Sequence, residues 1–132
     1  MKETEVVMCF LRFKDKILIL RRSKEFLSYE ERWGTIIGFP EEGESLEERA
    51  IKEIEAQTKM HKRDFELIKD ADTFLVMEKN EKWFIHPFLF NVKTKKLKIS
   101  KEWEFKWINP EDAGKFYTIP GFDEALKKLG II

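Results

Sequence analysis

Cysteine, histidine and side-chain amides are scarce in this chain: one Cys, two His, one Gln and three Asn among 132 residues. A single cysteine excludes an internal disulfide framework, and with no Cys/His grouping it argues against zinc. Cys9 sits in the apolar run Val6-Val7-Met8-Cys9-Phe10-Leu11. No charged neighbour there stabilises a thiolate, so it reads as a small core residue rather than a nucleophile. No apolar stretch approaches the roughly 18 residues of a membrane helix, and no leader is read, so a cytoplasmic protein without membrane contact is expected. Net charge is absent too, with 25 basic against 25 acidic residues. Nothing steers the whole molecule toward nucleic acid, so an anion site must come from local arrangement. No P-loop, Rossmann fingerprint or Ser-His-Asp pattern is visible.

What the chain does have is charge of both signs and bulky rings. Charged residues reach 38 %, above the usual quarter. With so few amides, this Lys/Glu-rich pattern fits a protein from a hot environment, where ion pairs are less costly to desolvate. Twelve Phe and four Trp supply core and pocket material. The length suits one domain over 1–132, and no linker, repeat or low-complexity segment divides it.

The apolar runs Val6–Phe13 and Ile17–Leu20, split by Lys14-Asp15-Lys16, predict a hairpin with at least one buried strand. Ser23–Arg32 reads as a loop ending at Trp33, and Gly34–Pro40 as a short strand between glycines. Ser45-Leu46-Glu47-Glu48 is a capping box, which starts a helix over Leu46–Thr58. At about 100° per residue, Leu46, Ala50 and Ile54 form the buried stripe with Ile51 at its edge. Glu48, Lys52 and Glu55 face the wet side, while Arg49, Glu53, Ala56 and Gln57 share one flank. Phe65–Met77 and Trp83–Val92 read as strands joined over 78–82, with Pro87 implying an edge position or a bulge. Trp103, Phe105 and Trp107 alternate with Glu102, Glu104 and Lys106, the period-two pattern of a half-buried strand. Asn109-Pro110-Glu111-Asp112 looks like a helix start with Asn109 as N-cap, and a last helix covers Phe122–Leu129 before Gly130. Strands with helices between and after them make a layered α/β domain.

The segment from Gly38 to Met60 resembles the Nudix box. That pattern is a Gly, five residues, a Glu, seven residues, Arg-Glu, an aliphatic residue, any residue, Glu-Glu, any residue, Gly and an aliphatic residue. Gly38, Glu44, Glu53, Ile54 and Met60 occupy their expected places, and Lys52 stands where Arg is usual. Ala56 and Gln57 replace the paired glutamates, and Lys59 replaces the last glycine. The chain also resembles archaeal Nudix domains related to translation initiation factor 2B-like proteins. That resemblance runs through Phe10–Ser23, His86–Phe90, Glu104–Glu111 and Ile119–Phe122.

The resemblance implies a Nudix fold, an α/β/α sandwich with a mixed central sheet. It implies catalytic roles for Glu53 and Glu44, metal contacts from Glu53, Gln57 and Gly38, and Mg2+ as the cofactor. The physical reason is charge: water attacks a diphosphate only once its negative charge is neutralised, and Mg2+ does this through hard carboxylate oxygens. Each carboxylate missing beside a divalent ion removes a few kcal/mol of attraction at an effective dielectric of about 20. Glu55 cannot substitute, lying about 200° around the helix from Glu53. Mg2+ binding is therefore expected to be weak or to depend on the ligand's own phosphates.

The expected partner is a phosphorylated small molecule of nucleotide type, contacted by candidates Arg21, Arg22, Trp33, Phe39 and Glu41. For the arginines a strand-end ion pair competes with phosphate contact, and for the aromatics a core role competes with stacking. Glu104 faces either the cleft or solvent. His86, in an apolar strand, reads as a structural histidine, and His61 as a surface residue. A homodimer is left open by the resemblance. Two functions follow from these residues: a Mg2+-dependent hydrolase of nucleoside diphosphate derivatives, or a domain that binds such a ligand with weak or no turnover. An interaction module without nucleotide is the third.

Overall fold

The computed structural model describes residues 1–22 and 32–132. Chain order gives strands β1 (Lys2–Phe13), β2 (Lys16–Arg22) and β3 (Ile36–Gly38), then helix α1 (Leu46–Thr58). Strands β4 (Phe65–Asp70), β5 (Phe74–Glu78), β6 (Glu81–Val92) and β7 (Trp103–Ile108) follow, then helix α2 (Phe122–Lys128). The described strands form one mixed sheet in the order β4-β6-β1-β2-β7, with β3 added to β1 and β5 to β6. Apart from Arg32, the loop expected over Ser23–Arg32 lies outside the described residues.

Strand β1 explains the layering. Val6 to Leu11 are all buried, the continuous apolar run of a strand covered on both faces. Val6, Met8 and Phe10 join the core that holds Phe122, Ala125 and Leu126 of α2. Val7, Cys9 and Leu11 join the core that holds Ala50 and Ile54 of α1. Period-two alternation thus sends successive side chains to opposite helices, and the result is an α/β/α sandwich. Burial also pushes the Cys9 thiol well above its ordinary value, with the Glu53 charge as a lesser cause, which keeps it a core residue.

The hairpin forms as expected, with Phe13 opposite Lys16 and Lys14 in the left-handed region at φ 56°. The two strands then part. β3 pairs antiparallel with Val7–Cys9 of β1, β2 pairs with β7, and β6 pairs parallel along β1 from Lys2 to Arg12. The strand expected over Gly34–Pro40 shortens to Ile36–Gly38, preceded by single bridges from Leu20 to Gly34 and from Trp33 to Thr118.

Three expectations need correction. Phe65–Met77 is not one strand: it breaks at Ala71–Thr73, and its halves β4 and β5 pair with different stretches of β6. Pro87 is neither on an edge nor at a bulge in β6, because β6 has partners on both sides. Its carbonyl accepts from the Ala71 amide. The N–H that proline lacks would point to the same side, into the seam between β4 and β5, so no ladder bond is missing. Asn109 is also reassigned. Residues Pro110–Lys115 form a 3-10 turn without a side-chain cap, and the Asn109 Oδ1 accepts from Lys16 instead.

Candidate functional site

Local chemistry builds α1 as its sequence foretells. The Ser45 Oγ accepts from the Glu48 amide at 3.0 Å and the Glu48 carboxylate accepts from the Ser45 amide at 2.9 Å. These bonds hold the Glu48 carboxyl below its ordinary pKa, the backbone bond first. Ala50 and Ile54 are fully buried, with Leu46 and Ile51 half-buried beside them. At the far end Lys59 adopts φ 62° and its amide donates to the Glu55 carbonyl. This left-handed cap is the conformation a glycine adopts without steric penalty.

The flank of α1 that packs on β3 carries the charged cluster. Gly38 lets the two elements meet: a Cβ there would stand 2.3 Å from the Glu53 Cγ. Its backbone does not require glycine, but the space does. The Gln57 Nε2 donates to the Glu53 Oε2 at 2.9 Å and to the Ile37 carbonyl at 3.2 Å. Arg49 reaches into three carboxylates, 3.5 Å from Glu41, 3.5 Å from Glu44 and 3.7 Å from Glu53. Glu44 braces the loop ahead of the helix. Its oxygens accept from the Glu41 amide and from the Lys52 ammonium, both at 2.9 Å. The Lys52 bond, then the Glu41 amide, holds the Glu44 carboxyl below its ordinary pKa, and Glu44 in turn raises that of Lys52.

Beside this flank lies a cavity of about 380 Å³. Val6, Met8, Ile37, Phe39, Val76, Trp83, Ile85, Trp103 and Ile119 give it apolar and aromatic walls, and Arg22, Arg32, Gln57 and Glu78 bring polar groups to it. Phe39 is 52 % exposed and meets Trp83 edge-on at 6.3 Å.

Adjacent strand residues point opposite ways, and this divides the arginine pair. Arg22 lines the cavity, its guanidinium 5.3 Å from the Trp103 ring centre and 3.7 Å from Glu102. Arg21 donates to Glu104 at 2.9 Å and lies 4.6 Å over the Trp33 ring. Glu104 is thereby engaged in an ion pair. Trp33, 5 % exposed and packed edge-on against Phe116, does not line the cavity. Of the candidates, the fold brings Arg22, Phe39 and Gln57 to the cavity. It gathers Glu41, Glu44, Gln57, Gly38 and Glu53 on the α1 flank, and it leaves Arg21 and Trp33 outside both. His86 has both ring nitrogens engaged, Nδ1 2.8 Å from the Thr73 Oγ1 and Nε2 2.6 Å from the Asp70 Oδ2.

Sequence reasoning put Arg49 on the right flank and gave it no role. Its i,i+4 spacing to Glu53 was the available signal. Trp83, Trp103, Val76 and Ile119 were not singled out as cavity residues, since no local pattern marks which face of a strand will line a hollow. Among the described residues, no group of three or more His, Cys, Asp and Glu side chains is arranged to hold a metal ion. No helix there is long and apolar enough to cross a membrane.

A three-layer sandwich with a glycine-tight strand–helix junction and an adjoining aromatic cavity defines a class of fold, and comparison with known proteins agrees. The NUDIX domain model matches residues 1–129, and the chain belongs to the Nudix family. No curated protein sequence matches it. Among solved structures, a Caenorhabditis elegans Ap4A hydrolase is similar with TM-score 0.78 at 18 % identity, over 96 % of this chain and 95 % of that one. The MutT protein of Methanosarcina mazei Go1 gives TM-score 0.74 at 22 % identity, over 92 % and 88 %. A MutT NUDIX hydrolase from Burkholderia pseudomallei gives 0.74 at 15 %, over 98 % and 99 %. At such identities the likeness concerns the fold.

Proposed function

We propose that this chain, as one Nudix domain, binds a nucleoside diphosphate-linked ligand in its cleft, with Mg2+-dependent pyrophosphate hydrolysis weak or absent. One observation carries the second half: the Gln57 amide nitrogen donates to Glu53 at 2.9 Å. Mg2+ requires oxygen ligands in near-octahedral order. Here a donor faces the carboxylate where a second anion would be needed, and Ala56 offers no oxygen from its side chain. The residues present do not fit a resident Mg2+, so any ion arrives with the ligand's own phosphates.

Support for the first half comes from the cavity. Its size falls within the range of about 300–1,000 Å³ usual for small-molecule sites, and Phe39, Trp83 and Trp103 offer ring faces or edges to a base. Arg22, on the cavity wall, offers a guanidinium that can pair with a phosphate. A dinucleoside polyphosphate, the compound named for the C. elegans relative, is one member of the ligand class. The segment resemblance to domains related to translation initiation factor 2B-like proteins carries no part of this reading.

A panel of nucleoside diphosphate derivatives, Ap4A among them, tests it with Mg2+ on the wild type and on Ala56→Glu/Gln57→Glu. The expected result is a raised melting temperature with the wild type and no phosphate-ester products, and tighter Mg2+ binding by the double variant. Robust turnover by the wild type would overturn the reading in favour of a hydrolase, for which the retained Glu53 and the Glu44–Lys52 pair speak. A panel without any binder would leave an interaction module.

A further inference from the structure

Arg49 is the charged group for which the ligand cleft has no use. It does not line the cavity, yet its side chain is only 14 % exposed. Its Nη1 lies 3.5 Å from the Glu41 Oε1 and 3.5 Å from the Glu44 Oε1, and its Nε lies 3.7 Å from the Glu53 Oε1. All three distances exceed the roughly 2.7–2.9 Å of a good charge-assisted hydrogen bond, and Nε is buried without a hydrogen-bond partner. The guanidinium is therefore held by surrounding negative charge rather than by a fitted fork of hydrogen bonds. Convergent carboxylates are the environment a hard divalent ion takes. In this protein the three carboxylates surround a side chain instead, and as they stand around it they are not arranged to hold a metal ion.

We infer that Arg49 is the resident cation of this site and takes the place of a divalent ion. The inference rests on the reading above, that Glu53 holds no metal. Charge arithmetic supports it: Glu41, Glu44 and Glu53 face Arg49 and Lys52, leaving one net negative charge. Without Arg49 two would remain, in a setting where water screens Glu44 and Glu53 only partly. Glu41, its side chain 75 % exposed on a loop, has the freedom to close in on a smaller ion. Gln57, bonded to the other oxygen of Glu53, keeps that carboxylate in place meanwhile.

Thermal unfolding and Mn2+ titration followed by electron paramagnetic resonance test this without reference to turnover, so a surprise in the hydrolysis assay leaves the result interpretable. Wild type should show the same melting temperature in EDTA and in millimolar Mg2+ or Mn2+ at matched ionic strength. Arg49→Ala should melt lower in EDTA, regain most of the loss with Mn2+, and bind Mn2+ at least about tenfold tighter than wild type, as removal of a neighbouring positive charge requires. Arg49→Lys, which keeps the charge, should stay insensitive to metal. If Arg49→Ala folds only with Mn2+ present and unfolds on chelation, the inference is equally upheld. An Arg49→Ala protein that gains no Mn2+ affinity, or whose lost stability no divalent ion restores, overturns it. So does an Arg49→Lys protein that responds to Mn2+ as the alanine variant does.

Discussion

Gly38→Ala is the smallest change with the largest expected effect on the site. Gly38 has no left-handed backbone to protect, and it pairs in β3 opposite Val7. The added Cβ would lie 2.3 Å from the Glu53 Cγ, 2.9 Å from its Cδ and 3.1 Å from its Oε1. Carbon atoms pack at about 3.5–4.0 Å, so the Glu53 side chain must swing away from its root. Overpacking of this kind costs about 1–3 kcal/mol. The carboxylate then leaves its 2.9 Å bond with Gln57. A hydrogen bond to a charged group contributes about 1.5–3 kcal/mol, taken at its lower end because Glu53 retains some exposure. The sum is about 2.5–4.5 kcal/mol, or a melting temperature lower by roughly 8–18 °C for a chain of this size.

A double-mutant cycle isolates the cause. In a Glu53→Ala background the Cγ is gone and the new methyl has room. Gly38→Ala should then be neutral or stabilising by up to about 1 kcal/mol, through the reduced freedom of the unfolded chain. Chemical denaturation of the four proteins measures the coupling. An equal penalty in both backgrounds would refute the argument, because the cost would then arise from the strand and not from contact with Glu53.

Other perturbations have equally definite outcomes. Lys59→Gly relieves a left-handed non-glycine cap at φ 62° and should raise stability by up to about 1 kcal/mol, read by urea denaturation. Ile54→Ala opens a hole at a fully buried position beneath α1 and should cost about 2–5 kcal/mol in the same assay. Glu44 has a lowered carboxyl pKa through its Lys52 and Glu41 bonds. Its contribution is therefore present above the ordinary glutamate range and lost as pH falls below about 4.3 through the folded value. The melting temperature of Glu44→Gln should accordingly fall less steeply than that of wild type between about pH 5 and pH 3. Equal slopes would show that Glu44 has no stabilising partner. Trp83→Ala removes a cavity wall and should weaken any nucleotide-induced thermal shift while leaving the Arg49 cluster intact.

Features set by neighbouring residues were legible in the sequence itself. The capping box spans four residues, the buried stripe of α1 repeats every third or fourth, and the doubly buried β1 announces itself as an unbroken apolar run. For the same reason the grouping of Arg49, Glu53 and Gln57 on one flank followed from the helix period alone. Pro87 shows the limit. Whether a proline's missing N–H is tolerated depends on which strand lies beside it, and the seam between β4 and β5 exists only once both have paired with β6. The split of Phe65–Met77 belongs to that same decision, and so does the fate of His86, whose partners are Asp70 at the end of β4 and Thr73 within the break.

The chemistry divides along the same line. Sequence by itself determined the Nudix spacing and the identity of residues 52, 53, 56 and 57, because covalent order carries them onto one helix. Tertiary structure alone decided what surrounds them. The Ile37 carbonyl that takes the second Gln57 hydrogen lies 20 residues away in the chain, and the cavity walls drawn from β1, β3, β5, β6 and the segments at Trp103 and Ile119 are farther apart still. Only the packing of the sheet against α1 and α2 brings them together.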